Sequence, residues 1–169
     1  MPSKTFTDAI ALLKADHDTV EGLFDKFQAA KGNKWPIAYT ACTLLKIHMT
    51  LEEEIFYPAI RGKVEDDKLD EGLVEHDSGK VLINDILGEG PKGEVYATKF
   101  HVLSEHMVHH HHEEEEYVTG IFAKARESGV DLVELRDRML ERRAELEAEA
   151  KVDDLPTATP TYVDVAQSE

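Results

Sequence analysis

The sequence predicts an all-α fold, an antiparallel up-down-up-down four-helix bundle with an additional C-terminal helix and a flexible tail. No segment has the strict alternation of apolar and polar residues that marks a half-buried strand. Short turns rich in glycine and proline separate stretches of helical length at about 7–31, 37–61, 67–88 and 94–127. Such short connections favour antiparallel neighbours in a bundle.

Local signals support the boundaries of the first two helices. Thr7 or Asp8 can cap the first helix, because a short polar side chain there accepts a hydrogen bond from a free backbone N–H. Pro36 suits the first turn of the second helix, where a missing N–H leaves no bond unmade. Gly32 and Gly62 stand where C-terminal caps are expected.

The C-terminal part of the chain differs from the bundle in composition. Residues 131–151 are strong helix formers with many opposite charges at i,i+4 spacing. The last segment has two prolines and small polar residues, so we expect a tail that is disordered or draped on the surface. The predicted organisation is a bundle at 1–127, a helix at 130–151 and a tail at 152–169.

Composition excludes several classes of function. The 169 residues include 19 Lys and Arg against 35 Asp and Glu, a net charge of −16, which disfavours binding to nucleic acid or to anionic membranes. Cys42 is the only cysteine, so a disulfide within the chain and a cysteine-rich metal site are both excluded. No apolar run approaches the roughly 20 residues of a membrane-spanning helix, and the N-terminus does not resemble a secretory signal. The expected location is cytoplasmic.

Each of the first three predicted helices has one histidine on its apolar, core-facing stripe: His17, His48 and His76. Glu52 lies one turn after His48 on the same stripe. A single such histidine is more often a hydrogen-bonded core residue than a ligand. Three of them, with a carboxylate, indicate a shared site, because burying these groups without a partner costs free energy. A metal ion at the centre of the bundle would offset that cost.

The same periodicity indicates which residues of the stretch HMVHHHHEEEEY in the fourth helix face the core. The apolar stripe through Phe100, Leu103 and Met107 continues to His110 and Glu114, which repeat the His-x-x-x-Glu spacing of the second helix. The other members of the run are predicted to be solvated or at the rim: His109, His111, His112, Glu113, Glu115 and Glu116.

Two further histidines, His106 and His101, are predicted to have other roles. His106 lies one turn before His110, so it could add a ligand or only hydrogen-bond a carbonyl group. His101 is predicted to lie on the surface.

The phase of the histidine run can be tested by substitution. His110→Ala is expected to lower the iron content sharply, whereas His111→Ala is expected to leave it nearly unchanged.

Four imidazoles and two carboxylates suit a pair of first-row metal ions. Mixed nitrogen and oxygen ligation favours iron, with manganese or zinc as possible substitutes. Calcium and magnesium fit poorly, because they prefer shells made only of oxygen atoms.

The pieces LKADHDTVEGLFDKF, IHMTLEEEIFYPAI, LVEHDSGK and HHHHEEEEYVTGIFAKAR resemble the hemerythrin-like (HHE cation-binding) domain over roughly residues 7–126. This resemblance implies a centre of two non-haem iron ions with an oxo or hydroxo bridge. The ligands it implies are His17, His48, Glu52, His76, His110 and Glu114, with the two glutamates bridging the ions.

The sequence departs from the oxygen-carrying branch of that family at two places. Lys80 stands where the carriers have a second histidine one turn after the third-helix histidine, and this favours reaction with a small ligand over reversible storage of dioxygen. Lys80 and Phe56 are expected to edge the site in structural roles. An apparent insertion after Glu114 predicts a π-bulge or kink near Gly120.

The first function hypothesis is a di-iron protein that binds or reduces dioxygen, hydrogen peroxide or nitric oxide. The alternative is a non-catalytic iron, oxygen or redox sensor, or an iron-binding module, with weak surface metal binding by the exposed His/Glu run. The third hypothesis is a metal-free bundle in which the histidines form a polar network in the core. The sequence assigns no catalytic residue beyond the metal ligands and identifies neither an electron donor nor a protein partner.

Overall fold

The computed structural model describes residues 5–165, and every regular element in that range is helical, which confirms the all-α class. The helices are α1 (Ala9–Ala29), α2 (Trp35–Leu51), α3 (Tyr57–Ile60), α4 (Asp66–Glu89), α5 (Tyr96–Glu115), α6 (Ile121–Glu127) and α7 (Leu132–Val152). A π-helical turn, Glu52–Phe56, joins α2 to α3, and a 3₁₀ turn, Gly90–Lys92, follows α4. Residues 1–4 of the predicted bundle and 166–169 of the predicted tail lie outside the described residues. Within the described range no helix has both the length and the apolar character needed to cross a membrane.

The predicted boundary signals lie at or next to the ends of helices, and Asp8 and Pro36 act as expected. The Asp8 side chain accepts a hydrogen bond from the backbone N–H of Ala11 at 2.9 Å and so caps α1. Pro36 lies in the first turn of α2. Gly32 and Gly62 both have positive φ, 92° and 76°, in the turns that follow α1 and α3. They thus allow the chain to reverse without steric strain.

Helices α1 and α4 each pack against both α2 and α5, so the four long helices enclose one interior. Two apolar clusters fill the ends of that interior. The first contains Leu13, Leu51, Leu69 and Phe122, and the second contains Val20, Leu45, Ile83 and Met107. A band of buried polar side chains lies between them.

Helix α7 packs against α1 and α2 and buries Leu135, Met139 and Leu146 in the first apolar cluster. The segment after α7 then returns across the bundle, as a draped tail. Asp77 accepts hydrogen bonds from the backbone N–H groups of Thr161, Tyr162 and Val163, at 2.6 to 2.9 Å. Helix α7 and the tail therefore close one side of the molecule.

The π-helical turn lies in a different place from the predicted one. It occupies Glu52–Phe56, where the backbone N–H of Tyr57 bonds the carbonyl oxygen of Glu52, five residues earlier. Pro58 accounts for it, since proline has no N–H and its ring would clash with the carbonyl of Glu54 in a regular helix. Near Gly120 the helix does not bulge but stops at Glu115 and starts again at Ile121. The expectation of a kink was right in position, but that of a π-bulge was wrong.

Candidate metal centre

The six side chains predicted as ligands converge in the polar band, and each is at most 2% exposed. The set is His17, His48, Glu52, His76, His110 and Glu114. His111 joins them at 1% exposure, so its predicted place in solvent or at the rim was wrong. Its ring stacks on that of His17 with centroids 3.8 Å apart. Five imidazoles and two carboxylates therefore face the same interior.

Every one of these imidazoles bonds an outer carboxylate through Nδ1. The pairs are His17 with Glu115 (2.6 Å), His48 with Asp16 (3.2 Å), His76 with Glu53 (2.9 Å), His111 with Glu21 (2.9 Å) and His110 with Glu75. An ionised carboxylate only accepts hydrogen bonds, so Nδ1 must hold the proton. In the neutral ring, Nε2 then presents its lone pair to the centre, which is the orientation of a metal-bound histidine.

Four of the outer carboxylates link each long helix to the next one around the bundle. Asp16 of α1 bonds the histidine of α2, and Glu53, just after α2, bonds the histidine of α4. Glu75 of α4 bonds His110 of α5, and Glu115 of α5 closes the ring back to α1. Each histidine is thus oriented by a helix other than its own.

The Nε2 atoms form two groups. His17 and His48 approach each other at 3.2 Å between Nε2 atoms, with His111 beside them. His76 and His110 approach at 3.0 Å. Two lone pairs facing each other at these distances repel unless a cation or a proton lies between them. The arrangement therefore provides a three-histidine group and a two-histidine group.

The two buried glutamates span both groups. Glu52 places Oε1 3.3 Å from Nε2 of His48 and Oε2 3.1 Å from Nε2 of His76. Glu114 places Oε2 3.4 Å from Nε2 of His17 and 3.6 Å from that of His110.

Four atoms of this interior have no hydrogen-bond partner: both carboxylate oxygens of Glu52, Oε2 of Glu114 and Nε2 of His111. Leaving such buried groups unpaired costs about 1–3 kcal/mol each. All four are good ligand atoms for a first-row transition metal. The donor set therefore fits the binding of metal cations.

The protonation of the histidines differs between positions. Burial disfavours the charged form of His48, yet the carboxylates of Glu52 and Asp16 outweigh it and raise its pKa to about 10. The same balance, with Glu52 and Glu53, raises the pKa of His76 to about 9. Burial and the neighbouring His17 lower the pKa of His111 to about 3, despite its bond to Glu21. The carboxylates that attract protons here would equally attract metal cations.

Tyr57 completes the interior and was missed by the sequence reasoning. Its hydroxyl donates to Oε1 of Glu114 at 2.5 Å, and its ring stacks on His76 with centroids 5.6 Å apart. Gly72 makes room for it, because a Cβ there would lie 2.8 Å from the tyrosine oxygen. The π-helical turn shifts the phase of the helix after Glu52, and plain 3.6-residue periodicity does not anticipate that shift.

The remaining members of the histidine–glutamate run have other roles. His106 lies with Nε2 3.2 Å from the carbonyl oxygen of Glu75, a contact that matches the alternative of a hydrogen bond to a carbonyl group. His101, His109 and His112 are exposed. Glu113 and Glu116 are also exposed, whereas Glu115 is half-buried and bonds His17.

Lys80 and Phe56 occupy the edge of the interior as expected. Lys80, 5% exposed, donates to the carboxylate of Glu53 at 2.8 Å and to the carbonyl of Thr159 at 3.0 Å. Phe56 is fully buried and packs edge-on against Phe122, with ring centroids 5.7 Å apart.

The outer carboxylates were also missed, although the sequence has a signal for them. Asp16 and Glu75 immediately precede His17 and His76, while Glu53 and Glu115 immediately follow Glu52 and Glu114. A charged residue next to a buried ligand is directed along the helix flank, toward a neighbouring helix. The adjacency alone does not single them out, because Asp77 follows His76 and Glu113 precedes Glu114, yet neither orients a ring of the centre.

Comparison with known proteins agrees with this geometry. The family model described as Hemerythrin HHE cation binding domain matches residues 8–122. Among solved structures, a Hemerythrin HHE cation binding domain-containing protein from Mycobacterium kansasii, an Rv2633c homolog, matches with a TM-score of 0.69. The two chains are 21% identical over 87% of this chain and 91% of that chain, a likeness of fold. No curated protein matches the sequence.

Proposed function

Because the chain belongs to the hemerythrin HHE cation-binding domain family, we propose that its interior binds two iron ions and that it binds or reduces a small oxidant. The oxidants considered are dioxygen, hydrogen peroxide and nitric oxide. The three-histidine group of His17, His48 and His111 would hold one ion. The two-histidine group of His76 and His110 would hold the other.

One observation chiefly supports two ions rather than one. Each of the two buried glutamates reaches histidines of both groups, with Glu52 offering one oxygen to His48 and the other to His76. A carboxylate that offers separate oxygens to separate donor groups is suited to bridging two cations. With neither ion bound, both oxygens of Glu52 would be buried without hydrogen bonds.

The unequal histidine count supports reaction with an external ligand. The group with only two histidines has fewer protein ligands and so leaves more positions for a small molecule. A cavity of about 200 Å³ is lined by His110 and Glu114, which belong to that side of the centre. Fe²⁺ ions bound at the centre would supply the electrons for reduction of the oxidant and would become Fe³⁺, so each further turnover would need an external reductant.

The protein's own residues would control access and protons. The two apolar clusters exclude bulk water from both ends of the interior, so only small molecules would reach it. Burial and the nearby carboxylates of Glu114 and Glu52 raise the pKa of Tyr57 well above its usual value. Tyr57 would therefore retain its proton and keep Glu114 oriented through the 2.5 Å hydrogen bond.

The contacts of the C-terminal segment favour a second candidate, a non-catalytic iron or redox sensor. Lys80 joins the tail at Thr159 to Glu53, which bonds the Nδ1 atom of His76. Arg143 of α7 bonds Asp16, which orients His48. A change of charge at the centre would alter the electrostatic interactions of both the tail and α7, because Lys80 and Arg143 are charged and partly shielded from solvent.

Metal analysis combined with turnover measurements tests the proposal. The chain reconstituted with iron should hold two iron ions, and His76→Ala should lose iron while the exposed-site control His101→Ala keeps it. Consumption of peroxide or nitric oxide by the parent chain, lost in His76→Ala, would support the oxidoreductase. Iron binding without turnover, together with redox-dependent protection of the tail amides from exchange, would support the sensor. Failure of the parent chain to retain iron would refute both.

A further inference from the structure

A second group of possible metal ligands lies outside the buried centre. Glu75, His109 and Glu113 each offer a donor atom, and these atoms lie within 4.8 Å of one another. Nε2 of His109 is 3.0 Å from a carboxylate oxygen of Glu113, one turn further along α5. His109 and Glu113 are 66% and 47% exposed in their side chains, so ions in solution can reach them. Two carboxylates and an imidazole suit a divalent cation such as Fe²⁺.

The cavity beside this group connects it with the buried centre. Glu75 and Glu113 of this group line the cavity together with His110 and Glu114 of the buried centre, whereas His109 does not line it. Glu114 is 1% exposed, and its Oε2 atom has no hydrogen-bond partner. This oxygen lies 3.6 Å from Nε2 of His110, so Glu114 belongs both to the lining of the cavity and to the buried centre.

Glu75 belongs both to the surface group and to the side chains that surround the buried centre. One of its oxygens bonds the Nδ1 atom of His110, a member of the two-histidine group. The same side chain is a member of the surface group. An ion held by Glu75, His109 and Glu113 would therefore share the Glu75 side chain with the surroundings of the buried centre.

The charges along this cavity favour cations over the oxidant. Its lining includes Glu71, Glu75, Glu113, Glu114 and Glu116 against the single cation Lys68. Lys68 donates to the carbonyl oxygen of Thr119 at 2.5 Å, at the side of the opening. A cleft lined by one sign of charge raises the local concentration of the opposite ion, but it does not attract neutral dioxygen or peroxide.

Resting on the proposed function above, we propose that Glu75, His109 and Glu113 form a surface binding site for a divalent cation, and that the adjoining cavity delivers the ion to the buried centre. The site is a loading site, so it governs the rate of metal uptake. It does not govern how much metal the centre finally holds.

The test is a time course of metal uptake by the full-length metal-free chain. Fe²⁺ is added without oxygen, samples are quenched with a chelator, and protein-bound iron is measured against time. The double variant H109A/E113Q should take up iron on the order of 10-fold more slowly than the parent chain, with the same final content. Glu75 is left unchanged, because it also orients His110.

The chain offers a matched control on the same helix. His101 and Glu105 form the same exposed His-x-x-x-Glu pair on α5, at 3.5 Å, and they do not line the cavity. H101A/E105Q should load iron at the parent rate. Equal rates in H109A/E113Q and the parent would overturn the loading site, and so would a lower final content in H109A/E113Q. If the parent chain itself binds no iron, the proposed buried centre fails instead.

Discussion

At the scale of single residues, the direction of each imidazole is decided by a partner on another helix. His110 and His111 are consecutive on α5 and point about 100° apart, as the helix geometry requires. Glu75 of α4 bonds the first and Glu21 of α1 bonds the second. Both rings are nevertheless buried, because the interior is wide enough to receive side chains from two sides of one helix. Helical periodicity alone assigns only one of them to the core.

His111→Ala tests this geometry directly. The substitution removes one donor of the three-histidine group, so metal affinity should fall by at least on the order of 10-fold. Titration of the metal-free chain with Fe²⁺, followed by elemental analysis, measures the loss. His112→Ala is the control, because His112 is exposed and should leave affinity unchanged. Equal affinities in the two variants would show that His111 is not a ligand and would agree with the unchanged iron content that the sequence predicted for His111→Ala.

At the scale of elements, the interruption between α5 and α6 brings Phe122 of α6 against the buried centre. The Glu116 carboxylate accepts hydrogen bonds from the backbone N–H groups of Val118 and Thr119, at 3.0 and 2.7 Å. This closes the turn, and α6 then folds back so that Phe122 stacks on His17 with centroids 5.6 Å apart. The break thus seals the first apolar cluster against the centre.

Gly120→Ala is expected to open this turn. A Cβ at Gly120 would lie 2.5 Å from the carbonyl oxygens of Glu114 and Glu116. These are backbone atoms, so relieving the clash requires the backbone of the turn to move. We expect a loss of about 1–3 kcal/mol in the free energy of unfolding, with reduced metal content. Urea unfolding and elemental analysis measure the two effects.

Gly22→Ala provides the comparison. A Cβ on this glycine of α1 meets no atom within 4 Å. Alanine there should leave metal content unchanged and stabilise the helix by up to about 1 kcal/mol. A Gly120→Ala variant as stable as Gly22→Ala, with full metal content, would show that the turn tolerates a side chain.

The docking of the tail on α4 gives another prediction. Asp77 is fully buried and accepts three backbone hydrogen bonds, so Asp77→Ala should release residues 161–163. Hydrogen exchange should then show faster exchange of these three amides. Asp85→Ala, which removes an exposed carboxylate of α4 that pairs with Lys99, should leave their protection intact. Unchanged protection in Asp77→Ala would mean that other contacts hold the tail.

At the scale of the whole molecule, the buried centre concentrates negative charge that the protein only partly neutralises. Two glutamates lie among the imidazoles, and five carboxylates lie behind them, in a chain of net charge −16. Helix α7 supplies cations to this acidic surface through Arg142, which bonds Glu54 at 2.8 Å, and Arg143, which bonds Asp16. Bound metal ions would offset the remaining repulsion and join all four long helices.

Removal of metal should therefore destabilise the entire bundle. An ion present at 100 times its dissociation constant contributes about 2.7 kcal/mol, since it binds only the folded state. For a chain of this length each kcal/mol corresponds to a change in Tm of roughly 2–4 °C. A calorimetric scan of the iron-loaded chain before and after chelation measures the difference. The Tm of His48→Ala should respond less to the chelator, and an unchanged Tm in the parent chain would contradict the prediction.

The sequence by itself determined the all-α class, and spacing along the helices brought out His17, His48, Glu52, His76, His110 and Glu114, which the structure places together. It could do so because burial repeats every three to four residues, and polar residues interrupting an apolar stripe are conspicuous. Only the tertiary structure decided that His111 and Tyr57 join them. It also decided which carboxylate orients each ring and where the tail docks. Those features depend on contacts between helices distant in sequence, and on a change of helical phase at the π-helical turn that a 3.6-residue periodicity does not follow.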